Sequence, residues 1–172
     1  NSQRPSESGT RIVAAGTDSA GECVVKSIAY KENITVITVT SSRMLMAHGF
    51  LASIFDVFNR YKTAVDLVTT SEVSVSMTID HSEHLADIRK ELSHFSQVEI
   101  QSGKAIVCLV GERMRQTAGM PGQIFCELGA VPIHLISQGA SEINISFVID
   151  DSELPVVIST CHDRLFRGPL TP

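Results

Sequence analysis

Val65-Asp66-Leu67-Val68-Thr69-Thr70-Ser71-Glu72-Val73-Ser74-Val75-Ser76-Met77 is the stretch from which the fold can be read. Its second half alternates: Val73, Val75, Met77 and Ile79 fall on one side, Ser74, Ser76 and Thr78 on the other. That is the period of a strand with one buried face. Val65–Val68 is a second, shorter β-rich run, and Thr69-Thr70-Ser71-Glu72 is the polar link between them. Two strands joined in this way bring Asp66 and Glu72 to one sheet edge. Two carboxylates with three hydroxyls beside them make a seat for a small cation. The plain alternative is a polar hairpin turn.

The flanks on either side carry helical periodicity. From Gly49 to Tyr61, Phe50, Leu51, Ile54, Phe55, Phe58 and Tyr61 recur at three- and four-residue steps, which predicts an amphipathic helix. Before it, the β-branched run Ile34–Thr40 predicts a strand, and Ser41–His48 a loop. After the hairpin, Asp80 with Glu83 three positions on predicts a capped helix start, with Leu85, Ile88, Leu92 and Phe95 as the apolar stripe. Val98–Gln101 predicts a short strand, and Ser102-Gly103 a turn. The order β-α-β-β-α-β predicts two helices on one face of an antiparallel sheet.

The pattern then recurs. Lys104–Val110 predicts a strand, Pro121–Leu128 a helix, and Ile133–Ser137 and Ile143–Ile149 two further strands. Ser152 predicts the cap of a last helix reaching Phe166, with Pro155 in the first turn, where its missing N–H costs least. The repeat is visible residue by residue. Ser71-Glu72-Val73-Ser74-Val75-Ser76 aligns with Ser141-Glu142-Ile143-Asn144-Ile145-Ser146, and Ile54-Phe55 with Ile124-Phe125, at one offset (141 − 71 = 70; 124 − 54 = 70). The second copy lacks a closing strand. The lone strand Cys23–Tyr30, set off by a turn at Lys31-Glu32-Asn33, fills that edge. The expected class is α+β: two ferredoxin-like βαββαβ units in tandem, helices on one face of antiparallel sheets. Residues 1–22 read as a linker, 31–103 as an inserted first unit, and 23–30 plus 104–172 as a discontinuous second unit.

Composition narrows the function. The chain of 172 residues is 43% hydrophobic, ample for a packed core, and its net charge is −5. No basic run exceeds two residues, which argues against a nucleic-acid surface. No apolar run reaches the length of a membrane span, and the N-terminus does not read as a signal peptide. The four cysteines form no C-x-x-C pair and read as free, buried thiols of a cytoplasmic protein.

No phosphate loop of the Walker type, no G-x-S-x-G and no H-E-x-x-H is present. His81 and His84 read as a solvated helix end, and His134 as a packed or capping imidazole. Gly49 allows close backbone approach, and the N–H groups of Gly49, Phe50 and Leu51 at the helix start make an anion seat. Set against the carboxylates Asp66 and Glu72, that arrangement suits a zwitterionic amino acid. An acid–base enzyme built on Asp66, Glu72 and a His lacks an accompanying nucleophile or cofactor motif. A ferredoxin-like RNA-binding module lacks the basic face and the exposed sheet aromatics.

Two tandem units of this kind, each with a Gly-bearing first loop, resemble ACT domains. Three stretches narrow the likeness: Met44-Leu-Met-Ala-His-Gly-Phe-Leu-Ala52, Val65–Val75 and Gln138-Gly-Ala-Ser-Glu-Ile-Asn-Ile-Ser-Phe147. Together they are similar to the regulatory region of aspartokinase, of the lysine-sensitive type. The resemblance implies a region that binds an end-product amino acid and inhibits the phosphorylation of aspartate by ATP. It implies L-lysine at an interface between the first units of a homodimer, and a kinase domain in the same chain. The effector-contacting positions it carries over are Met44, Ala47, Gly49, Phe50, Leu51, Asp66, Thr70, Ser71 and Glu72. Ala47 departs from the pattern, since relatives carry Ser there. The resemblance implies no cofactor in this chain, with ATP and Mg held by the kinase domain, and no nucleic-acid or membrane partner. The remaining alternatives are an ACT-type sensor of another enzyme, or an interaction module without a ligand.

Overall fold

Two long strands stand where four short ones were expected. In the computed structural model, which describes residues 25–45, 48–81 and 83–165, β1 runs without reversal over Val25–Thr40. β4 runs over Gln97–Gly111. The turns predicted at Lys31-Glu32-Asn33 and Ser102-Gly103 are bulges instead. Asn33 (φ 57°) and Gly103 (φ 71°) take left-handed backbone, and the β1–β4 register shifts on either side of the pair Ile34↔Lys104. Asn and Gly are the residues that tolerate this conformation, and one extra residue in an otherwise paired ladder bends and twists a strand without turning it back. The two bulges are themselves 70 positions apart, so the repeat meets itself along β1 and β4.

Between and after these strands come α1 (Phe50–Arg60), β2 (Val68–Thr70), β3 (Ser74–Ile79) and α2 (Leu85–Leu92). Then come α3 (Met120–Leu128), β5 (Leu135–Gln138), β6 (Asn144–Asp150) and α4 (Leu154–Leu165). All six strands make one antiparallel sheet in the order β2-β3-β1-β4-β6-β5. The second half of β1 and the first half of β4 pair within a first unit containing β2 and β3. The first half of β1 and the second half of β4 pair within a second unit containing β5 and β6.

Two cores lie under the helices. Ile37, Val39, Val75 and Met77 pack against Ile54, Phe58, Ile88 and Leu92 in the first unit. Val107, Leu109 and Phe147 pack against Ile124, Val157 and Cys161 in the second. Each fully buried large side chain contributes about 1.5–3 kcal/mol relative to exposure. A third cluster, Ile34, Val36, Ile106 and Val148 with Leu67 and Leu135, lies on the opposite face of the sheet. The sheet curls until its two edge strands, β2 and β5, come into contact. That closure explains why Thr78, expected on an outward polar face, is fully buried; its hydroxyl accepts the Leu67 N–H at 2.9 Å.

Other expectations are corrected in detail. α2 starts at Leu85 with His84 before it and no side-chain cap, so the Asp80–Glu83 capping box does not form. Asp80 is held by Lys31 and His81 instead. The last helix is preceded by a short 3-10 turn at Asp151–Glu153, with Asp150 before it; Ser152 lies inside that turn rather than capping the helix. Cys161 is buried, and burial pushes its thiol up to about 11, whereas Cys126 is exposed and Cys108 half-buried. Cys23, Ala47 and the segment 1–22 lie outside the described residues.

Candidate functional site

At one end of the first unit β1 hands over to α1. Ser41 caps a short 3-10 turn, Ser42–Met44, by accepting the Arg43 N–H on its hydroxyl at 3.3 Å. Gly49 then enters α1 in left-handed backbone (φ 80°), a conformation that disfavours any side chain. The first-turn N–H groups of Phe50 and Leu51 point out of the helix end, where the helix dipole favours negative charge. Phe50 is braced edge-on against Phe95, with ring centroids 5.8 Å apart.

The β2–β3 tip sits at this same end, tied to β1 by the Ser41 N–H to Val73 carbonyl bond of 2.8 Å. Its geometry is a side-chain-supported turn. The Ser71 hydroxyl accepts the Ser74 N–H at 3.1 Å and contacts the Ser74 hydroxyl at 2.6 Å. Thr70, Ser71 and Glu72 are exposed, and Glu72 has no hydrogen bond or ion pair among the described residues. Met44, Gly49, Phe50, Leu51, Thr70, Ser71 and Glu72 are therefore gathered at one end of the unit.

Asp66 is not with them. Its N–H donates to the Thr78 carbonyl (3.0 Å), so it stands at the foot of β2 while Glu72 stands at the tip. Five residues lie between them, and six steps of largely extended chain span roughly 15–20 Å. They flank β2 on either side, at the sheet edge where the sequence placed both but at its opposite ends, too far apart to form one cation seat within a chain. Asp66 is instead part of a charge cluster. Lys31 Nζ lies 2.8 Å from Asp66 Oδ2 and 2.7 Å from Asp80 Oδ2. Hydrogen bonds to Asp66 and then Asp80 hold the Lys31 ammonium above its ordinary range, and the bond from Lys31 holds the Asp80 carboxyl below its own. A hollow of about 230 Å³ opens beside the pair, walled by Tyr30, Leu67, Ile106 and Cys108.

Sequence reasoning missed Lys31, and it read Asp80 as a helix cap. The three groups are 35 and 49 positions apart, and only the bulge in β1 brings Lys31 to the foot of β2. His134 was expected to be packed or capping. Its side chain is 26% exposed, with Nε2 3.0 Å from Lys104 Nζ and 3.2 Å from Asp150 Oδ1. Lys104 and Asp150 are themselves paired, and that bond keeps the Asp150 carboxyl low. His81 is exposed beside Asp80, and no group of three or more His, Cys, Asp or Glu suited to a metal ion exists among the described residues. A larger groove, about 650 Å³, runs between the first half of β1 and α4, lined by Ile28, Tyr30 and Ile158; it includes none of the predicted site residues.

Known proteins share this architecture. A family model described as ACT domain matches residues 107–165. The aspartokinase of Schizosaccharomyces pombe is 45% identical over 148 residues, covering 82% of this chain and 28% of that protein. The chain thus spans little more than a quarter of the length of this curated relative. A chain from Porphyromonas gingivalis W83, assigned as a C-terminal regulatory domain of aspartate kinase, is 35% identical with a TM-score of 0.75 over 84% of this chain and 99% of that one. Escherichia coli aspartokinase III, in a complex with lysine and aspartate, is 32% identical with a TM-score of 0.77, over 87% of this chain and 35% of that one. Among the described residues no helix is long and apolar enough to cross a membrane.

Proposed function

The chain belongs to the family of aspartokinase regulatory regions, and from that premise we propose that it is the allosteric part of an aspartate kinase. In this reading it binds L-lysine between the first ACT units of two chains and feedback-inhibits the ATP-dependent phosphorylation of L-aspartate. Its partners are a second copy of itself and the kinase domain of its own chain, in the cytoplasm, with ATP and magnesium belonging to that kinase domain.

The observation that carries the reading is the separation along β2. An anion seat at the start of α1 and the Glu72 carboxylate lie at one end, and the Asp66 carboxylate at the other. A two-fold, antiparallel juxtaposition of two copies along β2 brings Asp66 of one chain beside α1 and Glu72 of the other. The α1 N–H groups then take the ligand's carboxylate, and the two side-chain carboxylates its two ammonium groups. Leu51, Phe55, Val68 and Val73 leave large apolar surface exposed on this unit, which supports a partner there. The lysine carried by the Escherichia coli relative supports the choice of effector. Inhibition requires lysine to favour the inactive arrangement, typically by about 1–3 kcal/mol of coupling.

The test is a calorimetric titration of the chain with lysine and with threonine. Asp66→Asn is expected to cost about 2–5 kcal/mol of lysine binding with little change in folding, because one partner of a charge pair is removed by an isosteric substitution. Wild-type affinity in a folded Asp66→Asn chain removes Asp66 from the site. Equal affinity for threonine reassigns the effector. Sedimentation showing a monomer at high concentration, with and without lysine, refutes the shared site.

A further inference from the structure

We infer that Lys31 is a tethered competitor for the effector's ammonium group, setting the lysine concentration at which the site fills, and that Asp80 is the counter-ion that lets it step aside. The inference rests on the reading of Asp66 as an effector contact. Lys31 Nζ already occupies Asp66 Oδ2 at 2.8 Å, in the manner of a bound ammonium. A ligand cation reaching Asp66 has to displace or share that contact. Displacement leaves no orphan charge, because Asp80 Oδ2 holds the same Nζ at 2.7 Å from the other side. The side chains are 45%, 33% and 25% exposed for Lys31, Asp66 and Asp80, so the contact is solvated enough to exchange.

The second unit supplies an internal control. The counterpart of Lys31, 70 positions on, is Gln101, whose side-chain amide donates to Glu99 at 2.6 Å. Asp66 has His134 as its structural counterpart, since both donate a backbone N–H to the matching carbonyl, Thr78 for one and Val148 for the other. In that unit a lysine also bridges, but it comes from position 104, whose counterpart is Ile34. The pairing of a position-31 cation with an effector carboxylate is therefore confined to the unit proposed to bind.

A half-exposed ion pair is a weak interaction, so its removal changes affinity by about two- to fivefold. The experiment is lysine titration calorimetry on the 172-residue chain at low and at physiological salt, with thermal melts as folding control. Lys31→Met is expected to bind lysine about two- to fivefold more tightly. Asp80→Asn is expected to bind about as much more weakly, because Lys31 then has only Asp66 to hold. Lys31→Arg keeps wild-type affinity, and Lys31→Met combined with Asp80→Asn binds more tightly than Asp80→Asn alone. A merely structural cluster weakens binding in all these variants, so the opposite signs are decisive. Should Lys31→Met fold poorly, Lys31→Gln is titrated in its place, with the same tightening expected. If the wild-type chain binds lysine and neither folded Lys31 variant binds it more tightly, the inference is overturned while the site stands. If the wild-type chain gives no binding, the reading of the site falls, and the inference with it.

Discussion

Gly49 and Gly119 stand 70 positions apart, and both turn into a helix through left-handed backbone, at φ 80° and 76°. The helices they open differ in their first turns. Leu51 offers an N–H at the first turn of α1, whereas Pro121 at the same place in α3 has none, and the Met120 N–H is already directed at the Thr117 carbonyl at 3.4 Å. Glu72 is unengaged among the described residues, but Glu142 is taken by the Arg115 guanidinium at 2.6 Å. Asp66 is replaced by His134. The two units thus share a backbone and a core and part company at each group that would hold a zwitterion: a donor is removed, a carboxylate is satisfied, and an anion becomes an imidazole. A duplicated fold retains in both copies what packing requires of it, while the polar groups at the helix start and the strand ends are free to differ between them.

The likeness of the two units is tested most severely in their cores. Ile54 and Ile124 are counterparts, each fully buried on the helix that begins at the left-handed glycine. Truncating either to Ala is expected to cost about 2–5 kcal/mol. Since β1 and β4 run through both units, both variants should lower one common unfolding transition. Two separate steps in chemical denaturation, with only one moved by each variant, would make the halves independent.

A smaller effect tests whether the second unit binds no lysine, as its missing donor and carboxylate lead us to expect. Arg115→Ala frees Glu142 and removes an exposed ion pair worth at most about 1 kcal/mol. Calorimetric stoichiometry should nevertheless stay at the wild-type value, because Pro121 and His134 remain. A new lysine site in this variant would show that Arg115 alone had closed it.

The smallest expected effect is a shared one. Asp80 follows β3 and Asp150 ends β6 at counterpart positions, and lysine bonds hold both carboxyls below their ordinary 3.8. A carboxyl lowered in the folded state stabilises above its unfolded value and loses that contribution as pH falls through the folded one. Melting temperature should therefore decline below about pH 4. Asp80→Asn and Asp150→Asn should each flatten that decline by a similar amount, and a flattening by only one of them would separate the two clusters.

The class of fold, the internal repeat, the helices and the alternating strands were all legible in the sequence. They arise from short-range rules: apolar residues every three or four positions in α1, every second position in β3, and the same letters again 70 positions on. The candidate residues could be nominated from the sequence, because Gly49 and the Thr70-Ser71-Glu72 tip are local features. The sequence did not reveal where the ends of those segments meet. Whether Lys31–Asn33 and Ser102-Gly103 turn the chain or only bulge it depends on whether β1 and β4 find each other, a pairing between strands far apart in the chain that no local propensity encodes. Once they pair, the sheet becomes continuous and curls, Thr78 is buried, and Lys31 reaches Asp66 and Asp80. The separation of Asp66 from Glu72, by contrast, follows from the extended run of β2 between them. Charges distant in sequence interact only where the backbone delivers them, so the electrostatics of the site belong to the tertiary structure.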